Sequence, residues 1–108
     1  MAQNFRRYTS NAVGASPAAV YTANSYDAIV GISLSNILST AITVSCYIYN
    51  GSANIYLVKD APIPTGGSLQ VLDGGAKFVV QALDVLKVQS SDAASCDVWV
   101  SAVDEISS

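Results

Sequence analysis

The sequence has no histidine, and only two cysteines, Cys46 and Cys96, among its 108 residues. Without histidine, the commonest general base and the commonest metal-binding side chain are both missing. The cysteines lack Cys-x-x-Cys spacing, so a four-ligand zinc site cannot be built from them. Each sits in an apolar alternation instead, Cys46 with Ile42, Val44 and Ile48, and Cys96 with Val98 and Val100. That setting reads as free, buried thiols acting as small hydrophobes. A jelly-roll enzyme of the cupin kind needs a metal, and the missing histidine argues against it. No cofactor and no metal are expected.

Charge is scarce as well. Charged residues make up 12% of the chain, about half the usual quarter, while hydrophobic residues make up 51%. So few charges imply that part of the surface is covered by something else. Of the five basic residues, Arg6 and Arg7 are adjacent, whereas Lys59, Lys77 and Lys87 are scattered. No basic stripe exists to neutralise phosphates, and the net charge is −3, so nucleic acid is not the expected ligand. Arg6 and Arg7 read as a solvated pair on an edge strand or arm.

Long apolar runs are missing too. None approaches the ~18 residues of a membrane-spanning helix, and the opening MAQNFRRYTS lacks the apolar core of a signal peptide. The expectation is a soluble, single-domain chain over residues 1–108, made in the cytosol, with no membrane partner.

Catalytic machinery is not found. Gly74-Gly75-Ala76-Lys77 lacks the spacing of a phosphate-binding loop, and Phe78-Val79-Val80 continues as a strand instead of opening a helix. Asp73-Gly74 is a hairpin-turn signal. No Gly-x-Ser-x-Gly occurs, and the acids are scattered except Asp104-Glu105, which a strand would point to opposite faces. Asp84 reads as a residue that ties the preceding turn through its carboxylate. The chain is not expected to be an enzyme.

What is present is period two. In residues 27–36, Val30, Ile32 and Leu34 alternate with Gly31, Ser33 and Ser35. Residues 40–49 place Ile42, Val44, Cys46 and Ile48 inward against Thr43, Ser45, Tyr47 and Tyr49. Asn50-Gly51 then predicts a type I′ hairpin into ANIYLVKD. Near the end, Cys96, Val98, Val100 and Ala102 alternate with Asp97, Trp99, Ser101 and Val103. Pro62 and Pro64 exclude their segment from a central strand, and with Thr65-Gly66-Gly67 they predict a crossover between sheets. SLQVLDGG, AKFVVQA and DVLKVQS are further short strands, and FRRYTSNAV and AAVYTA precede them all. About eight antiparallel strands give an all-β sandwich of jelly-roll-like type. No helix beyond a turn is expected; NILSTAI is the one ambiguous segment.

Large side chains fall on the polar parity: Tyr47 and Tyr49, with Tyr56 across the hairpin, and Trp99 on the last strand. Two readings stand, a partner surface or the core between the sheets.

The opening MAQNFRRYTSNAVG, the IVGISLSNI strand, YLVKDAPIPTGGSLQVL and QALDVLKVQSS together resemble small virion structural proteins of tailed bacteriophages, notably those of marine and cyanobacterial hosts. The resemblance runs over essentially the whole chain. It implies a compact sandwich that works in virion assembly, most readily as a capsid decoration or cement protein. The implied partners are the major capsid protein, other virion proteins and further copies of the chain, in the virion. A neck or tail component is the alternative. Leu83 departs from the pattern, standing where a glycine is expected before Asp84, and Leu72-Asp73-Gly74-Gly75 varies a glycine-rich turn.

Two contact schemes follow. An N-terminal arm within residues 1–9 could lay Phe5, Arg6, Arg7 and Tyr8 against a neighbouring subunit, or the same residues could form an edge strand within the chain. Tyr47, Tyr49, Tyr56 and Trp99 complete the candidate contact set. A glycan-binding sandwich, with Tyr47, Tyr49 and Trp99 as stacking platforms, is the remaining alternative.

Overall fold

A computed structural model describes residues 4–23, 26–72 and 78–107. Among these residues there is no helix. Nine strands run in order: β1 (Asn4–Val13), β2 (Ala18–Thr22), β3 (Tyr26–Asn36), β4 (Ile42–Tyr49), β5 (Asn54–Ile63), β6 (Ser68–Leu72), β7 (Phe78–Val80), β8 (Val85–Ser90) and β9 (Cys96–Ser107). They form two antiparallel sheets. The first has the order β1-β9-β3-β6 with β7 also beside β3, and the second has the order β2-β8-β4-β5.

The expected count of about eight therefore becomes nine. β6 pairs with Ile32–Ser35 and β7 with Asp27–Ile29, so both lie along one edge of β3 in the same direction. They are not partners in a hairpin, as Asp73-Gly74 had suggested. Residues 73–77, including Lys77, lie outside the described residues. Taken as one interrupted strand, β6 and β7 leave eight strand positions in a jelly-roll-like order.

Inward parity fills the space between the sheets. Ile29, Ile32 and Leu34 from β3, Val98, Val100 and Ala102 from β9, and Ile42, Val44 and Cys46 from β4 are buried in one cluster. Val30 departs from the expected row. The β3–β9 register shifts between Ile29 and Gly31, and an extra residue at a bulge reverses the facing of what precedes it. Asp27 and Ile29 are thus buried before the shift, and Ile32 and Leu34 after it, while Val30 is only half-buried.

Polar groups close the ends of the sandwich. Asn36, buried at the end of β3, donates through Nδ2 to the carbonyls of Thr40, Ile63 and Pro64, and its Oδ1 accepts the Leu38 amide. It thereby organises NILSTAI as a bend. At the other corner, Ser90 N–H donates to the Gly14 carbonyl and Ser95 N–H to that of Val13, both at 3.0 Å. Pro62 lies in β5, which is an edge strand, where a missing amide hydrogen costs no ladder bond to a further neighbour. Residues 64–67 then cross to the other sheet, as expected.

The β4–β5 hairpin forms, but its loop is Asn50 to Ala53 instead of a two-residue type I′ turn. Asn50 Oδ1 accepts the amides of Ser52 and Ala53, and Gly51 takes a φ of +97°. That side-chain turn fixes the longer loop. Asp84 behaves as the sequence indicates: its Oδ2 accepts the Gln81 amide at 2.9 Å.

Candidate functional site

The candidate contact residues divide between the two sheets. Residues 4–9 belong to β1 of the chain's own sheet, paired from Asn4↔Asp104 to Thr9↔Trp99, so the arm takes the form of an edge strand. Adjacent residues on it face opposite ways. Arg6 pairs with Ala102 and Arg7 with Ser101, so the two guanidinium groups do not converge on one anion. Arg7 lies 5.6 Å from the Trp99 ring centroid, stacked over it. The Phe5 side chain lies outside the described residues.

Tyr8 and Tyr47 are packing residues. Tyr8 shares the core parity of β1, and its ring centroid is 4.2 Å from that of Tyr21. The Tyr21 hydroxyl donates to the carboxylate of Asp27, and both residues are buried. Tyr47 points outward, as expected, but is only 4% exposed. Its cross-strand partner Tyr56 lies against it, with centroids 4.9 Å apart, and burial followed by the Tyr56 phenol pushes the Tyr47 hydroxyl's pKa up. Tyr56 and Tyr49 form the exposed part of this cluster, with the Lys59 ammonium 5.1 Å from the Tyr56 centroid and that of Lys87 5.3 Å from the Tyr49 centroid. Ile55 beside them is 53% exposed on an edge strand.

Trp99 stands apart, on the outer face of the first sheet, and is 52% exposed. The ladder places Thr9 on one side of it and Ser33 on the other. One rung further along, Asp97 lies beside Ser35. Together with Ser10 and Asn11 these residues line a groove of about 350 Å³. Asp97 Oδ1 accepts the Ala12 amide at 2.8 Å, at a bulge where Ala12 takes a φ of 56°. Ser33 Oγ accepts from Gln70 Nε2 at 3.0 Å. Of this groove only Trp99 was singled out by the sequence. The outward parity of Ser33, Ser35 and Asp97 was readable, but their convergence depends on β1, β9 and β3 being neighbours.

The thiols are buried and unpaired. Burial, followed by the neighbouring Cys96, pushes the Cys46 pKa up to about 12. Burial pushes that of Cys96 up to about 11, opposed by a hydrogen bond from the Ser35 backbone and aided by Asp97. Such thiols are poor nucleophiles at neutral pH. Among the described residues, no three His, Cys, Asp or Glu side chains gather as a metal would require. Among them, too, no helix is long and apolar enough to cross a membrane.

No protein-family model matches the chain, and no curated protein sequence matches it. Solved structures do. A chain from the acidic stable capsid structure of Helicobacter pylori bacteriophage KHP30 aligns with a TM-score of 0.61 and 9% identity, covering 95% of this chain and 87% of that one. A chain from Bacillus endospore appendages, described as a family of disulfide-linked pili, aligns with a TM-score of 0.53 and 20% identity, covering 94% and 84%. At these identities the likeness is one of fold: this chain shares its two-sheet sandwich with a phage capsid chain and a pilus chain.

Proposed function

We propose that this chain is a non-enzymatic structural protein of a tailed-phage virion, present in many copies and acting as a capsid decoration or cement protein. The observation that carries this reading is the fold likeness to a phage capsid chain over 95% of the sequence. The marine or cyanobacterial assignment rests on the sequence resemblance alone.

The surface supports a role in binding neighbours. Both sheets end in open edge strands, β1 in one and β5 in the other. Unpaired edges are sites of association unless blunted. On β5 the edge carries Ile55 on one face and Tyr56, near Tyr49, on the other, an apolar rim with a lysine stacked on each of the two tyrosine rings. Tyrosine is enriched at protein contacts because it buries a large rigid area at low entropic cost. On β1 the edge presents Arg6 and Arg7 to a neighbour. Repetition of such contacts between copies gives a closed homo-oligomer, and contact with the major capsid protein attaches it to the head.

Mixing the purified chain with expanded empty heads of its own phage, followed by sedimentation, tests the decoration role. Saturable co-sedimentation is expected. Heads that remain bare would remove that role and leave the second reading, a neck or tail component, which the likeness to a chain of endospore appendages supports.

A further inference from the structure

The groove beside Trp99 runs from β1 across β9 to β3, on the other sheet from the apolar rim of β5, and its lining has a chemistry of its own. We propose that it binds a neutral mono- or disaccharide, with Trp99 as the stacking platform.

The ring is half open to solvent and held from one side. Arg7 packs over it from the rung of Ser101, whereas the groove opens on the side of Asp97. A fixed indole with a free face suits the apolar C–H face of a pyranose. Around it stand groups that pair with sugar hydroxyls, each of which both donates and accepts. Asp97 has one oxygen engaged by the Ala12 amide, leaving Oδ2 to accept from a ligand. Ser33 already accepts from Gln70, which leaves its hydroxyl hydrogen to donate. Thr9 and Ser35 add hydroxyls, and Asn11 adds an amide with both functions.

The same lining selects against other ligands. No lysine or arginine is among the lining residues, and Arg7 lies on the other side of Trp99 from Asp97, so an anionic group in the groove would meet the Asp97 carboxylate, which disfavours phosphorylated or sulfated molecules. Apart from Trp99, Val98 is the one apolar residue in the lining, too little for a purely hydrophobic ligand. A volume of about 350 Å³ falls at the small end of ligand sites, which run from about 300 to 1,000 Å³.

Trp99 is the only tryptophan in the chain, so tryptophan emission, excited at wavelengths that tyrosine does not absorb, reports this groove alone. The test is a titration of the full chain with cellobiose, maltose, lactose and N,N′-diacetylchitobiose, read by emission wavelength and intensity. At least one of these is expected to give a saturable change. Asn11→Ala and Ser35→Ala keep the fluorophore and should each weaken that binding by roughly 10-fold, the scale of one lost hydrogen bond. Amide NMR shifts confined to β1, β9 and β3 should accompany binding and vanish in Trp99→Ala. A flat titration with all four sugars would overturn the proposal, as would binding that both alanine variants leave unchanged. Because the readout needs no virion component, its failure would not touch the assembly reading.

Discussion

The side-chain amide of Asn36 donates to the main-chain carbonyl of Ile63 at 3.1 Å, joining the last residue of β3 in one sheet to the last residue of β5 in the other. With its bonds to Thr40, Pro64 and Leu38, Asn36 settles four backbone groups, one at the end of β5 and three in the loops beside it. Removing it leaves the buried Ile63 carbonyl without this donor, at about 1–3 kcal/mol, and frees the loop groups at Thr40, Pro64 and Leu38 that it also ties. Asn36→Ala should cost about 3 kcal/mol, and Asn36→Asp should also destabilise, because a carboxylate cannot donate to carbonyls. Urea denaturation measures both, and an unchanged midpoint would contradict this role.

Leu83 holds a φ of 76° and is 78% exposed, so it pays for left-handed backbone without gaining burial. The turn is fixed from both sides: the Leu83 amide donates to the Ala23 carbonyl at 2.8 Å, and the Ala23 amide to that of Asp84 at 2.9 Å. Glycine adopts this conformation without strain but loses more chain entropy on folding. The balance favours Leu83→Gly by about 0.5–1 kcal/mol, whereas Leu83→Ala should be nearly neutral. A loss of stability in the glycine variant, seen by thermal melting, would count against the left-handed turn.

Gly14 sits where the link after β1 passes the β8–β9 corner. A Cβ there would lie 3.1 Å from the Ala94 nitrogen and 3.3 Å from the Ala93 Cα, both main-chain atoms. Backbone cannot rotate away as a side chain can. Gly14→Ala should therefore cost about 1–3 kcal/mol, the range for overpacking, and should disturb the Gly14–Ser90 and Val13–Ser95 hydrogen bonds. Faster amide exchange at Ser90 and Ser95 is the accompanying signature.

The buried thiols give a pH dependence. An unfolded cysteine titrates near pH 8.5, whereas Cys46 and Cys96 are held up to about 12 and about 11 in the fold. Below about pH 8.5 both states keep the proton, and this contribution to stability is fully present. Above it the unfolded thiols ionise first, so stability falls as pH rises toward the folded values. Replacing both cysteines with valine should flatten the decline between about pH 9 and 11. A thiol reagent at about pH 8 should label the native chain far more slowly than the unfolded one. Native labelling at the unfolded rate would show that the thiols are accessible.

The alternation of Ile42, Val44 and Cys46, and of Cys96, Val98 and Val100, carried the fold class, because side-chain period in a strand is local. So was the edge position of Pro62, which follows from a missing donor. Strand neighbours were not legible. Thr9 and Trp99 lie far apart in sequence, and only the closure of β1 on β9 brings Thr9, Trp99 and Ser33 into one row. Val30 was misread because a bulge shifts the register without a composition signal. Tyr47 was assigned to the correct face, but its coverage depends on Tyr56 lying across the hairpin. Asn36 carried no periodic signal, since two of its four partners, Ile63 and Pro64, come beside it only in the folded chain.

The claim that the β5 edge and its apolar rim bind neighbouring subunits is tested most directly by light-scattering mass measurement of the purified chain and of the double variant Ile55→Lys, Tyr56→Lys. Both side chains are exposed, at 53% and 42%, so the variant should keep the fold. The account predicts a discrete multiple of the protomer mass for the natural chain and a monomer for the variant, with matching circular dichroism. A natural chain that stays monomeric at all concentrations, or a variant that assembles as well as its parent, would contradict it.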